Sequence, residues 1–415
     1  MPANLRRSRL AIGFSAVALA AALSPPVWAD PAPAYPDLLA RLDQTPAAAE
    51  AGALSDAAEA RVRQSRARPN PVVGLELENA FGTGPFSGTD NADATVSISQ
   101  DLELWGRRGA RVSVAEAEAA SVGLRSRLVV VDAAGRLALT YAEAEAADRH
   151  ADLSQEALDL NLADARAALR LVEEGREPLL RGIQAESESA AARAALDEAI
   201  AERDAAFAWL TAVAQLAAPV TAVEASLLDL TPPSRAPGDD ALTVQVAEAE
   251  REAAERRISV ERVRARPDVT ASVGVRRFEA EDATALTFGL SLPLPLFDSN
   301  RGNVDAARAD FRAADARLLS ARQDAAADRL AAQSRLRASV SRVRAADAGV
   351  TAAAEAYRLS RVGFDAGRIS QLELRVSRGA LIAARQSALD ARLARVRAEI
   401  DLARLEGRAP FGDAR

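Results

Sequence analysis

The sequence predicts a mainly α-helical fold with a small β part, arranged as a two-fold internal repeat. Three observations predict it. The second half repeats the first at a shift of about 192 residues. Long stretches place apolar residues at alternating spacings of about four and three, the seam of a coiled coil. Four short segments alternate apolar with polar residues, the period of a half-buried strand.

The first element is an export signal at 1–29. Arg6, Arg7 and Arg9 form a positive start, an apolar run covers Leu10 to Leu23, and Val27-Trp28-Ala29 is a small-x-small cleavage site. Cleavage after Ala29 is expected, and loss of three Arg takes the formal charge from −7 to −10. The apolar run is short of the ~20 residues that a spanning helix needs, and no later segment is apolar enough for one.

The first repeat is expected over 30–217. It opens with a helix at 47–67, followed by alternating segments at 71–79 and 94–104. A very long helix follows at 107–173, then a turn at Gly175 and a return helix at 178–217. A Pro-rich connector, 218–240, separates it from the second repeat at 241–408, and 409–415 form a tail. The second repeat has a helix at 241–265, strands at 268–277 and 285–296, a long helix at 303–365, a turn at Gly367 and a return helix at 370–407. The correspondence is residue by residue: Ala94, Val96, Ile98, Leu102, Leu104 and Trp105 fall on Leu286, Phe288, Leu290, Leu294, Leu296 and Phe297. The seams run through Leu158, Leu162, Ala165, Leu169 and Val172, and through Leu389, Leu393, Val396, Ile400 and Ala403. A third, Val350, Ala354 and Tyr357, is interrupted by Arg361. A helix of some 65 residues is on the order of 100 Å long, which fits a stalk or a tube wall better than a compact domain.

Each strand segment has an apolar face, such as Val73, Leu75 and Leu77, or Leu286, Phe288, Leu290 and Leu292. The opposite face carries Thr95, Ser97 and Ser99 in one repeat and Thr287, Gly289 and Ser291 in the other. That pattern suits a membrane barrel, lipid outside and water inside, and equally a half-buried antiparallel sheet. A barrel needs at least about eight strands, because an open edge does not survive in lipid. One chain offers four, so the barrel reading requires an oligomer, and three copies would give a 12-stranded barrel.

Composition removes several classes of function. Aromatic residues are 4% of the chain, charged residues are 27%, and all 52 basic residues are Arg. Ala with Arg, Glu and Asp suits long helices packed along narrow seams rather than a thick core. There is no cysteine, and so no disulfide, thiolate metal site or lipidated N-terminal Cys. With one His (His150) and the initiator as the lone Met, soft-metal and imidazole chemistry have almost no donors. No nucleophile–base set or glycine-rich phosphate loop points to an enzyme, and no cofactor is expected. The acidic balance speaks against nucleic acid as a partner.

Two stretches carry a family resemblance. Ser291-Leu292-Pro293-Leu294-Pro295-Leu296-Phe297-Asp298-Ser299-Asn300-Arg301-Gly302 resembles the strand-to-helix junction of TolC-like outer-membrane efflux proteins, most like their cobalt-zinc-cadmium branch. Gly363-Phe364-Asp365-Ala366-Gly367-Arg368-Ile369-Ser370 resembles the turn at the periplasmic tip of that family's helical hairpins. The resemblance implies a homotrimer in outer-membrane lipid, a helical tunnel in the periplasm, and a belt to which 218–240 contributes. It implies passive conduction of substrate, with heavy-metal cations as candidates, from a periplasmic adaptor protein and an inner-membrane pump of the resistance-nodulation-division type. Under it, Gly175, Arg176, Pro178, Gly367, Arg368, Ile369 and Ser370 form adaptor-docking tips. Gly175 and Gly367 suit left-handed helix ends, Ser370 a helix cap and Pro178 a first helical turn. Thr95, Ser97, Ser99, Thr287, Gly289 and Ser291 become lumen positions. The first tip departs from the pattern, having no Ser equivalent to Ser370. The alternative is a periplasmic adaptor or a structural coiled-coil protein of the envelope.

Overall fold

The structure is a computed structural model that describes residues 31–223, 227–230 and 241–412. The export signal with its cleavage site and the Pro-rich part of the connector, 231–240, lie outside the described residues.

The chain runs α1 (Tyr35–Leu39), α2 (Pro46–Ser65), β1 (Val72–Glu78), β2 (Asp93–Asp101), α3 (Arg107–Glu173), α4 (Leu179–Val213), α5 (Leu242–Arg264), β3 (Thr270–Phe278), β4 (Ala283–Ser291), α6 (Arg301–Asp365) and α7 (Gln371–Leu405). The order helix, strand, strand, long helix, return helix occurs twice. α3 has 67 residues and α6 has 65, so each extends about 100 Å at ~1.5 Å per residue. Thr45 caps α2 by accepting from the Ala48 N–H, and Pro46 occupies its first turn.

The four strands form one antiparallel sheet in the order β1-β2-β3-β4, with both outer edges unpaired among the described residues. Two strands stop earlier than the alternation predicts, β2 at Asp101 rather than 104 and β4 at Ser291 rather than 296. After β4, Pro293 and Pro295 have no N–H to donate to a ladder. After β2, Glu103 and Trp105 adopt positive φ, 41° and 66°, which breaks the extended chain. α4 likewise ends at Val213 rather than 217, where Gln215 turns with φ 54°.

Next to the sheet, α2, α3, α5 and α6 lie side by side in that order. Farther away the layer becomes α4, α3, α7 and α6, so the two long helices run through both levels. Arginine–acid pairs join the helices at intervals, including Arg66–Glu116, Arg257–Glu118 and Arg322–Glu248. A ladder of four pairs crosses from α3 to α7 and so ties one repeat to the other: Asp132–Arg404, Glu143–Arg397, Glu156–Arg385 and Asp164–Arg378. The main apolar core sits at mid-length. There Tyr35, Leu38 and Leu42 meet Leu137 and Tyr141 of α3, Phe207 and Leu210 of α4, Leu227 and Leu228 of the connector, and Val396 and Ile400 of α7. The Tyr35 hydroxyl donates to the Pro410 carbonyl at 2.7 Å, and Ala32 bridges Val223 in parallel, so the segments near both ends of the described residues are tied to this belt.

Candidate membrane, tip and belt surfaces

Register fixes what each face of the sheet presents. Val73, Ile98, Val273 and Phe288 are consecutive neighbours across the strands, as are Leu75, Val96, Val275 and Leu286. These two rows lie on one face and are exposed, with Leu75 at 79% and Phe288 at 78%. A contiguous exposed apolar face of this kind is a surface built for contact with something apolar. The opposite face holds the rows Gly74–Ser97–Gly274–Thr287 and Val72–Ser99–Ser272–Gly289, with Thr95 and Ser291 alongside. All six residues read as lumen positions therefore share one face.

That face also holds charges which the periodicity did not single out. Arg276 Nε donates to Thr95 Oγ1 at 2.8 Å, and its guanidinium pairs with Glu78. Small residues matter here for a steric reason. A Cβ on Gly274 would stand 2.7 Å from the Val96 carbonyl oxygen and 2.8 Å from Thr287 Oγ1. The polar face is packed this closely from strand to strand, so glycine there permits the strand spacing itself.

At the far ends of the long helices the two turns are built alike. Gly175 (φ 68°) and Gly367 (φ 67°) take the left-handed conformation. The Arg176 N–H bonds to the Leu171 carbonyl and the Arg368 N–H to the Gly363 carbonyl, each at 2.8 Å. These bonds close helices α3 and α6 with the C-terminal Gly motif. Ser370 forms a reciprocal capping box with Glu373: the Glu373 N–H reaches Ser370 Oγ, and the Ser370 N–H reaches Glu373 Oε2 at 2.8 Å. Pro178 stands one residue before the first turn of α4, as its N-cap with ψ 148°. Ile369 is half-buried and packs against Gly363, so it belongs to the turn's own structure, whereas Arg368 is exposed. Leu179, Leu180, Ile183, Val362 and Val376 leave an exposed apolar zone around the tips.

The belt holds a constellation that sequence reading passed over. Glu145 of α3 is buried and accepts the backbone N–H groups of Leu227 (2.8 Å) and Leu228 (3.3 Å). From α7, Arg395 donates to the carbonyls of Leu228 (2.9 Å) and Leu230 (2.6 Å) and pairs with Glu399 at 2.7 Å. Residues 227–230 are thus held by one acid from the first repeat and one base from the second. Burial pushes the Glu399 carboxyl up to about 7, against the lowering effect of Arg395 and Arg408. His150 is half-exposed on α3, 3.5 Å from Glu202. Among the described residues no group of acids and His could hold a metal ion.

Known proteins match this arrangement. The family model "Outer membrane efflux protein" matches residues 40–215 and 239–408. The nickel-cobalt-cadmium resistance protein NccC of Alcaligenes xylosoxydans xylosoxydans is 38% identical over 393 residues, 94% of this chain and 90% of that one. The nickel and cobalt resistance protein CnrC of Cupriavidus metallidurans is 40% identical over 309 residues, 74% of each chain. The fold is similar to crystal structures of CusC (TM-score 0.78, 17% identity, 90% of this chain and 92% of that one). It is similar also to the open state of the MtrE outer membrane channel of Neisseria gonorrhoeae (TM-score 0.76, 20% identity, 92% and 91%). The adaptor and structural coiled-coil alternatives give way to these matches. This chain belongs to the outer membrane efflux protein family, and is a channel protein of the outer membrane with a helical periplasmic portion.

Proposed function

We propose that three copies close their sheets into one twelve-stranded barrel in the outer membrane, continued by the long helices as a periplasmic tunnel, and that the tunnel passively conducts heavy-metal cations. The observation that carries this is the open four-stranded sheet, with unpaired edges at β1 and β4 and one exposed apolar face. Closure satisfies both edges and gives the apolar face to lipid. Thr95, Ser97, Ser99, Thr287, Gly289 and Ser291 then line water. The names of NccC and CnrC support nickel and cobalt as substrates. The ions pass as solvated cargo, and no resident metal is required.

The tip turns, with Gly175, Arg176, Pro178, Gly367, Arg368, Ile369 and Ser370, dock a periplasmic adaptor that joins the tunnel to an inner-membrane pump of the resistance-nodulation-division type. The exposed Arg368 and the apolar zone beside it support the docking role. Purification in detergent with mass measurement tests the assembly, and a mass of three chains is expected. A monodisperse monomer that conducts ions in a planar bilayer refutes it. The substrate is tested separately, by restoring nickel and cobalt tolerance to a strain that lacks its own channel of this kind. Tolerance unchanged beside a trimer correctly placed in the membrane removes the metal reading and leaves the channel.

A further inference from the structure

Where α2, α3, α5 and α6 lie side by side, one face of the layer holds a trough of about 490 Å³. Side chains from all four helices line it, so the layer is concave on that side. The belt lies on the other side. On α3, Glu118 of the trough and Glu145 of the belt are about seven and a half turns apart, which puts them on opposite faces of the helix. Closure of three copies with their concave faces inward therefore places the belt outside and the trough in the tunnel wall. Because α3 starts at Arg107, the trough lies roughly 10–30 Å from the sheet.

The floor of the trough is small and apolar, with Ala115, Ala119, Ala254 and Ala313 beside Val122. The rim is guanidinium. Arg125 donates through Nε and Nη2 to one oxygen of Glu250, and Arg257 donates in the same way to one oxygen of Glu118. The Nη1 of each has no hydrogen-bond partner among the described residues. Arg61 and Arg317 are exposed and have no ion-pair partner among the described residues. Asp310 is the one acid of the trough that no arginine engages among the described residues. Four arginines thus face three acids, and donors are left over.

A guanidinium fork matches carboxylate oxygens two at a time, and a concave wall lets forks from separate helices converge on one ligand. A divalent cation meets net positive charge at this level and is repelled, whereas an anion seated in the trough reverses the local sign. We propose that the trough is a binding site for a small di- or tricarboxylate anion, held chiefly by Arg61 and Arg317, and that the seated anion lets metal cations pass this part of the wall. This rests on the channel reading above.

The probe is citrate, titrated into the full-length trimer in nonionic detergent and followed by calorimetry. One citrate per chain is expected. Arg61→Gln with Arg317→Gln should weaken its binding roughly ten-fold or more. Arg256→Gln with Arg322→Gln removes as much charge from the opposite face of the layer and should leave binding unchanged. Arg61→Lys with Arg317→Lys keeps the charge, loses the fork and should show a smaller weakening, which carries the reading if the glutamine pair does not assemble. In a planar bilayer under a potassium chloride gradient, citrate should move the reversal potential toward cation preference in the natural chain and not in the Arg61–Arg317 variant. A trimer that conducts but binds no citrate, or binds it equally in both glutamine pairs, overturns the proposal and leaves the channel standing, as does a reversal potential that citrate does not move. A chain that neither trimerises nor conducts removes the channel reading and the proposal together.

Discussion

Glu399 is buried beside Arg395, and its Oε2 has no hydrogen-bond partner among the described residues. Because burial raises its folded pKa to about 7, above the unfolded value of 4.5, the folded state holds the extra proton between those limits. The resulting stabilisation is full below about 4.5 and is lost as pH rises through about 7. Asp148, raised mainly by burial and then by Asp152, against the lowering effect of Arg203, contributes with the same sign. The free energy of unfolding should therefore fall between about pH 4.5 and 7, by an amount on the order of 1–3 kcal/mol, and the apparent melting temperature should fall with it. Glu399→Gln should flatten that profile, and a profile unchanged by the substitution sinks the assignment. Glu145→Ala should leave the Leu227 and Leu228 N–H groups without their acceptor, costing about 1–3 kcal/mol. Hydrogen exchange at those two amides should rise while the α3–α4 hairpin stays protected. Neither acid could be picked out from the sequence. Each sits among many charged residues on a long helix, where solvation is the default expectation, and only the path of the connector buries them.

The tips and the strand face belong to the scale of elements. A valine at Gly367 meets a positive φ that β-branched residues strongly resist. The turn should be disturbed and efflux reduced, with trimer yield on a native gel unchanged. Ser370→Ala removes half of the capping box and should cost about 1 kcal/mol in thermal stability. Arg368→Glu is the sharper probe of docking, because Arg368 is exposed while Ile369 supports the turn. Adaptor crosslinking at wild-type level in that variant would count against a docking role. In the sheet, Gly274→Val drives a side chain into the Val96 carbonyl, a backbone atom that cannot step aside. No mature outer-membrane trimer should form, whereas Val275→Ile on the apolar face should be tolerated. The long helices were legible in the sequence to within two residues at their ends, save the last turn of α4, because heptad seams and terminal glycines mark them. The strand ends were not, because an alternating apolar pattern is the same whether the partner is a strand or a different apolar surface. The short helix Tyr35–Leu39 was missed altogether, being too brief to show a period.

At the scale of the whole molecule, the duplicated layout was readable because Ala94 through Trp105 fall on Leu286 through Phe297 without a gap. What joins the repeats was not readable. The four α3–α7 ion pairs depend on an antiparallel register between helices more than two hundred residues apart. Most of them are exposed and individually worth little. Arg378 is the exception, since it is buried and also donates to Asn161 at 2.8 Å. The unpaired edges of the sheet carry a consequence for heredity. Under the proposed threefold closure each copy lends β1 to one neighbour and β4 to the other, so one faulty edge leaves the whole ring open. A gene dose split evenly between the natural chain and one spoiled only at β1 would leave roughly one channel in eight free of the spoiled copy. Edge lesions should therefore behave as dominant negatives, with loss of tolerance far exceeding the half expected from dosage, whereas a chain too damaged to fold would be recessive.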